Sequence, residues 1–277
     1  MSAPIGVFDS GVGGLSVLRA IHQDLPAEAL IYLADQAHVP YGSRSLLEVR
    51  AYAEGITRYL LSQGAKLIVV ACNAASAAAL HALRQAFPGV PFVGMEPAVK
   101  PAAEKTRSGV VGVLATPATF QGALYASVVE RFANGVELFQ HTCPGLVAQI
   151  EAGQLEGSET RAILVAALQP MLEKGIDTVV LGCTHYPFVI PLIEQIVGPQ
   201  VRVIDPAPAI ARQVRRLLEA QGLLSLGASP GPVRFLTTGD PSQLQSLLPR
   251  LFGETGVVEG LDWNAQLSGE LTNRSDK

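Results

Sequence analysis

The chain has 277 residues, of which 48% are hydrophobic and 16% charged, and 20 basic against 24 acidic side chains leave a net charge of −4. A charged fraction this far below the ~25% of ordinary domains excludes low-complexity disorder, and without a basic cluster dedicated nucleic-acid binding is not expected. No apolar run reaches the ~20 residues that cross a membrane, no signal peptide is recognisable, and three cysteines make no disulfide framework, so a cytoplasmic protein with reduced thiols is expected.

Read in chain order, short apolar runs alternate with helix-like segments. The first run, Ile5 to Phe8, ends in Asp9-Ser10-Gly11-Val12-Gly13-Gly14. Glycine there permits a tight turn and the close approach of a ligand to backbone N–H groups. The segment is not a P-loop, and Ser16 occupies the last glycine position of GxGxxG. Asp9 and Ser10 read either as a plain helix cap or, for Asp9, as a proton acceptor beside a cysteine. After the second run, Leu30 to Ala34, Pro40-Tyr41-Gly42 is locally only a turn. Leu46, Val49, Ala53, Ile56 and Leu60 recur at spacings of three and four, which predicts a helix laying one face on a sheet. Leu67 to Ala71 is apolar throughout, as in a strand covered on both faces. Further runs follow at Val110 to Leu114, Thr178 to Leu181, Val201 to Ile204 and Val233 to Leu236. The alternation predicts an α/β fold of doubly wound parallel sheets. Ser225 to Pro232 reads as a surface loop and residues 266–277 as a polar tail.

An internal repeat organises these runs. Gly64-Ala65-Lys66-Leu67-Ile68-Val69-Val70-Ala71-Cys72-Asn73 recurs in similar form, 111 residues on, as Gly175-Ile176-Asp177-Thr178-Val179-Val180-Leu181-Gly182-Cys183-Thr184. The same offset brings Pro97-Ala98-Val99 onto Pro208-Ala209-Ile210, and Gly6-Val7-Phe8-Asp9-Ser10 aligns with Gly112-Val113-Leu114-Ala115-Thr116. Three matches in one order indicate a duplication. The expected organisation is a first lobe of residues 1–97 and 210–265, and a second of residues 98–209, with the active site between them.

Each repeat sets a cysteine after an apolar strand and before a predicted helix. Carboxyl ends of parallel strands are where ligands bind, and the positive end of a helix dipole favours thiolate. Either cysteine alone also reads as a small buried core residue; the pair at equivalent positions favours function. Cys183 and His185 are too close for ordinary zinc-ligand spacing, and no CxxC completes a site. A Cys–His hydrolase needs only one thiol near His185, which leaves Cys72 without a task. Cys143 lies outside the repeat and reads as a packed structural thiol. His22, His38 and His81 read as solvated, and Glu151 as an exposed residue at a helix end. Two thiols on opposite faces of one substrate suit removal of a proton from one side of a carbon and delivery to the other. No lysine has the phosphate-binding context that pyridoxal phosphate needs, so a cofactor-free route is expected.

With these motifs assembled, the sequence resembles the bacterial glutamate racemases, within the wider aspartate/glutamate racemase group. The resemblance covers about residues 5 to 265. It rests on Phe8-Asp9-Ser10-Gly11-Val12-Gly13-Gly14-Leu15-Ser16, Ala34-Asp35 with Pro40-Tyr41-Gly42, Ala71-Cys72-Asn73, Gly182-Cys183-Thr184-His185-Tyr186-Pro187 and Thr237-Thr238-Gly239-Asp240-Pro241. It implies that Cys72 takes the Cα proton from D-glutamate and Cys183 from L-glutamate. Asp9, His185 and Glu151 match residues that assist the thiols, Asp9 on the Cys72 side and the other two on the Cys183 side. Ser10, Tyr41, Gly42, Asn73, Thr116, Thr119 and Thr184, with Asp9 and His185, match substrate-binding positions. Ala74 stands in the same set where the family usually has Thr. The resemblance also implies a homodimer without cofactor or metal, making D-glutamate for peptidoglycan. An aspartate racemase remains the alternative within the group, and a two-lobed amino-acid binding protein the alternative outside it.

Overall fold

The computed structural model describes residues 3–227, 229–264 and 270–274. The chain begins with β1 (Ile5–Asp9), α1 (Leu15–Asp24), β2 (Leu30–Ala34), α2 (Leu46–Ser62), β3 (Leu67–Val70), α3 (Asn73–Ala86), β4 (Phe92–Gly94) and α4 (Val99–Lys105). It continues with β5 (Val110–Ala115), α5 (Pro117–Gln121), α6 (Ala123–Phe132), β6 (Glu137–His141), α7 (Leu146–Glu151), α8 (Ser158–Glu173), β7 (Thr178–Gly182), α9 (Ile190–Val197) and β8 (Arg202–Ile204). It closes with α10 (Ala207–Ala220), β9 (Val233–Thr237), α11 (Pro241–Leu251), β10 (Val258–Asn264) and β11 (Glu270–Asn273).

The strands form two sheets, ordered β11-β10-β9-β2-β1-β3-β4 and β6-β5-β7-β8. Every pairing is parallel except that of β10 with β11. The block β2-β1-β3-β4 therefore matches β6-β5-β7-β8 strand for strand, and β9, β10 and β11 extend the first sheet alone. In each sheet the winding reverses once, between β1 and β3 and between β5 and β7. The crevice outside the carboxyl ends at such a reversal is the usual ligand site of an open parallel sheet.

The uniformly apolar segments become strands buried along their whole length, as β1, β3 and β7 are. Helices on both faces leave no wet side, so no alternation is required. On α2, Val49, Ala53, Ile56 and Leu60 are fully buried, but Leu46 is 38% exposed. The buried stripe thus starts one turn later than its spacing predicts, because the first turn overhangs the sheet. A capping box between Ser45 and Glu48 fixes that helix start. Burying each such side chain contributes about 1.5–3 kcal/mol, and Ile56→Ala is expected to cost about 2–5 kcal/mol.

Four strands escape the apolar-run reading. β4 is only three residues long, β6 is a partly exposed edge strand that reads as polar, and β10 carries charges and a glycine. β11 falls inside the segment expected to be a polar tail. It pairs antiparallel with β10, Leu271 is buried, and Tyr59 Oη donates to Asn273 Oδ1 at 2.8 Å. Residues 266–269 and 275–277 of that tail lie outside the described residues. The expected surface loop at Ser225 to Pro232 has no helix or strand among its described residues. α10 packs on α1 of the first sheet, and residue 210 falls in its first turn.

Candidate active site

The site is built where the two reversals face each other. Asp9 is the last residue of β1 and Cys72 follows β3 by two residues, whereas Thr116 follows β5 and Cys183 follows β7. Cys72 and Cys183 border a single cleft. Ser10, Tyr41, Gly42, Asn73 and Ala74 line it from the first lobe. Thr116, Thr184 and His185 line it from the second. Val147 also lines it and carried no sequence signal; it sits one helical turn before Glu151 on α7, hence on the same face. Asp9, Glu151 and Thr119 stand behind this lining. Thr119 reaches it through Thr116, their hydroxyls being 3.1 Å apart. The cleft is narrow, with little free space between the two sulfur-bearing walls.

The thiols are supported differently. Cys72 is the N-cap of α3, and its Sγ accepts from Ala75 N–H at 3.5 Å. Cys183 precedes a 3-10 turn, Tyr186–Val189, and α9 starts only at Ile190. Of the two cysteines, Cys72 alone has the expected α-helix directly after it; a short 3-10 turn follows Cys183. Nor does the dipole decide the state of Cys72. Burial pushes its thiol well above the ordinary range, the neighbouring Asp9 charge pushes the same way, and the Ala75 N–H only partly opposes them. Asp9 is itself raised by burial, against the pull of His185, the Cys72 thiol and Gly14 N–H. That last bond is 2.8 Å to Oδ2. A carboxyl beside a thiol in a dry site disfavours two anions together.

On the other side, His185 Nδ1 lies 3.7 Å from Cys183 Sγ, and Nε2 lies 2.6 Å from Glu151 Oε1. Burial opposes a charged imidazole here, but the bonds to Cys183 and Glu151 outweigh it and raise His185 well above its usual value. As an imidazolium it donates both N–H groups, one to the thiol and one to the carboxylate. Glu151 would be raised by burial, yet His185, the Val12 N–H at 2.7 Å and the Gln36 amide at 3.2 Å hold it below the ordinary range. Glu151 is only 9% exposed, which corrects the solvated helix end that its local sequence suggests. The covering comes from the Gly11–Val12 loop of the opposite lobe.

That loop explains its glycines. A Cβ at Gly11 would overlap the Glu151 carboxylate, and one at Gly13 would overlap the His185 ring. At Gly14 it would come within 2.6 Å of Asp9 Cβ. The close approach expected of a ligand is made here by the protein's own titratable side chains. Ser16 Oγ, 2.8 Å from Gly13 O and 2.9 Å from Thr184 O, ties the same loop to the strand end after β7.

Among the described residues, the Asn73 amide keeps both its nitrogen and its oxygen buried without a partner, at the cleft. Such groups cost about 1–3 kcal/mol unless something binds them. No lysine or arginine lines the cleft, and no three His, Cys, Asp or Glu side chains cluster to hold a metal among the described residues. Cys143 is buried and does not line the cleft; it sits at a left-handed backbone position (φ 45°), and burial, with Cys183 nearby, raises its thiol to about 12. His81 is exposed, as expected, whereas His22 and His38 are only partly so. His38 stacks on Tyr52 and bonds Asp35 instead of water.

A chain of this geometry is similar to known proteins over nearly its whole length. It is 53% identical over 261 residues to a glutamate racemase of Pseudomonas paraeruginosa, covering 94% of this chain and 98% of that relative. The crystal structure of a glutamate racemase isoform from Bacillus anthracis superposes with a TM-score of 0.85 at 34% identity, over 94% of this chain and 97% of the other. The glutamate racemase of Francisella tularensis, solved in complex with D-glutamate, superposes with a TM-score of 0.81 at 30% identity, over 94% and 97%. Residues 5–214 match the Asp/Glu/Hydantoin racemase family, and with relatives this similar over nearly the whole chain, the protein belongs to that family.

Proposed function

We propose that the protein is a glutamate racemase that interconverts L- and D-glutamate by two-base proton transfer at Cα, without a cofactor. The observation that carries this reading is that Cys72 and Cys183 reach one narrow cleft from opposite lobes. With L-glutamate bound, the Cys183 thiolate removes the Cα proton: an S–H bond forms, the Cα–H bond breaks, and its electron pair spreads into the α-carboxylate. The Cys72 thiol then delivers its proton to the opposite face. The two sulfurs have exchanged protonation states, and solvent resets them. The D to L direction uses the same steps in reverse.

The supports suit these roles. His185, held charged by Glu151, sits beside the sulfur that acts first as base and points an N–H at it. Asp9 and burial favour the neutral thiol at Cys72, as an acid requires. The carbanion is held by neutral donors, Ser10, Asn73, Thr116 and Thr184, with backbone N–H groups at Gly42 and Ala74, since no arginine among the described residues lines the cleft. The general acid and base account for ~10²–10⁴ each in rate. Thr119 would act by orienting Thr116. We divide the chain into the two lobes at residues 97–98 and 209–210, a reading supported by the separate sheets. The product, D-glutamate, would supply peptidoglycan synthesis in the cytoplasm, and the working form would be a homodimer, which sedimentation tests.

Polarimetry of L-glutamate and of L-aspartate with the purified enzyme, without added pyridoxal phosphate or metal, tests the reading. Loss of optical rotation with glutamate is expected. Rotation lost only with aspartate would move the protein to the neighbouring activity, and dependence on an added cofactor would end the cofactor-free route.

A further inference from the structure

Asp35 stands directly after β2, with its side chain fully buried, and does not border the cleft. A carboxylate offers about four lone-pair positions, and four donors occupy them. Tyr41 Oη donates to Oδ2 at 2.5 Å, and His38 Nδ1 donates to the same oxygen at 2.9 Å. Thr238 Oγ1 donates to Oδ1 at 2.7 Å, and Trp263 Nε1 donates to it at 2.8 Å. These donors come from three stretches far apart in sequence: the loop after β2, the end of β9, and β10. Thr238 Oγ1 also accepts from Ala37 N–H at 3.0 Å, and the His38 ring lies against both Tyr52 and the edge of Trp263.

The loop held in this way carries Pro40-Tyr41-Gly42, one wall of the cleft. Its tip meets the other lobe, where a Cβ on Gly42 would come within 2.6 Å of Thr116 Cβ. The Tyr41 hydroxyl is committed to Asp35, so Tyr41 faces the cleft with its ring and backbone. Among the described residues the second sheet has no counterpart of β9 and β10, so this fastening belongs to the first lobe.

We propose that Asp35 is a positioning residue for substrate binding: through Tyr41, Thr238 and Trp263 it makes β9 and β10 the mount that holds the Pro40-Tyr41-Gly42 wall in its binding position. The role rests on the racemase reading for its substrate. It acts on binding and leaves proton transfer to the thiols, so it shows in KM and not in kcat. Bonds to a charged group are strong enough that losing one changes binding by about tenfold or more.

The experiment compares Asp35→Asn and Trp263→Phe with the wild type. Asp35→Asn should raise KM about tenfold or more for both enantiomers, with kcat within about threefold. Trp263→Phe keeps a ring and removes one donor, so a rise of about two- to tenfold is expected. Hydrogen–deuterium exchange of the amides in residues 36–44 should quicken in both variants. KM and exchange both unchanged would overturn the proposal, as would a fall in kcat at constant KM. Should Asp35→Asn not fold, Trp263→Phe decides by the same two readouts. A wild type that does not racemise glutamate refutes the racemase reading; the exchange data then still decide whether Asp35 fastens the loop.

Discussion

Cys72 and Cys183 occupy matching ends of matching strands, β3 and β7, but almost nothing around them matches. Cys72 caps a fourteen-residue helix and lies beside Asp9. Cys183 enters a 3-10 turn and lies beside a histidine clamped by a glutamate. The duplication supplies position, and the later residues supply charge: a carboxyl that favours thiol on one side, an imidazolium within reach of the sulfur on the other. A reaction that needs one protonated and one deprotonated sulfur at the same moment is served by this inequality. A perfectly symmetric pair would have to break its own symmetry at every turnover.

The largest effect in that comparison comes from removing either member. Cys72→Ala and Cys183→Ala should each lower racemisation by ~10²–10⁴ or more in both directions, measured by circular dichroism of the substrate. Cys143→Ala should remain active, since Cys143 lies outside the repeat and does not line the cleft. Near-normal racemisation in either of the first two variants would revive the one-cysteine hydrolase reading.

A smaller effect comes from the glycine loop. Gly13→Ala puts a methyl group where the His185 ring stands, and His185 is held by Glu151 and cannot give way freely. Displacements of about 1 Å near reacting atoms cost ~10² in rate, so a loss of that order in kcat is expected. Gly89→Ala is the control, since nothing lies within 4 Å of the added carbon. Equal activity in both would show that the loop tolerates the methyl group and that the close packing is incidental.

The subtlest effect separates the two sides by pH. Glu151 raises His185, so in Glu151→Gln the imidazole loses its proton at lower pH, and the alkaline limb of the rate profile should move to lower pH. kcat should fall about tenfold to a hundredfold with the lost charged bond. The stability linkage has two edges. His185, raised on folding, contributes below its unfolded value and loses that contribution as pH rises through the raised one. Glu151, lowered on folding, contributes above its unfolded value and loses that contribution as pH falls through the lowered one. The difference in stability between wild type and Glu151→Gln should therefore be widest between the two unfolded values, in mildly acidic solution from about pH 4.5 to 6.5, as read by denaturant unfolding. A flat difference across pH would remove the ion pair from the account.

Much of this site is legible in the sequence because it lies at strand ends. The two cysteines, Asp9, Ser10, Asn73, Thr116 and Thr184 each sit next to an apolar run that becomes a buried strand, and the repeat marks which ends correspond. What sequence does not carry is contact between lobes. Gln149-Ile150-Glu151-Ala152-Gly153 looks like an exposed helix end until Gly11–Val12 closes over it, and Val147 follows only once α7 is placed. Gly11 and Gly13 read as room for a ligand because the side chains that fill that room are more than a hundred residues away. Asp35 stands out in the sequence only as part of a motif, since three of its donors are a histidine that reads as solvated, a threonine after β9 and a tryptophan in a strand too polar to recognise. The short or polar strands β4, β6, β10 and β11 escape for a simpler reason: neither length nor alternation distinguishes them from loops.

The account stands most directly on the direction of proton traffic between the two sulfurs. Racemisation in heavy water, stopped early and started from each enantiomer in turn, should give product carrying deuterium at Cα while the remaining substrate keeps its proton. That pattern follows if one thiolate removes the proton and the other, already exchanged with solvent, delivers a deuteron. Product that retains the substrate's own proton, or substrate that gains deuterium as fast as product forms, would mean that one group serves both faces and would contradict the two-thiol mechanism.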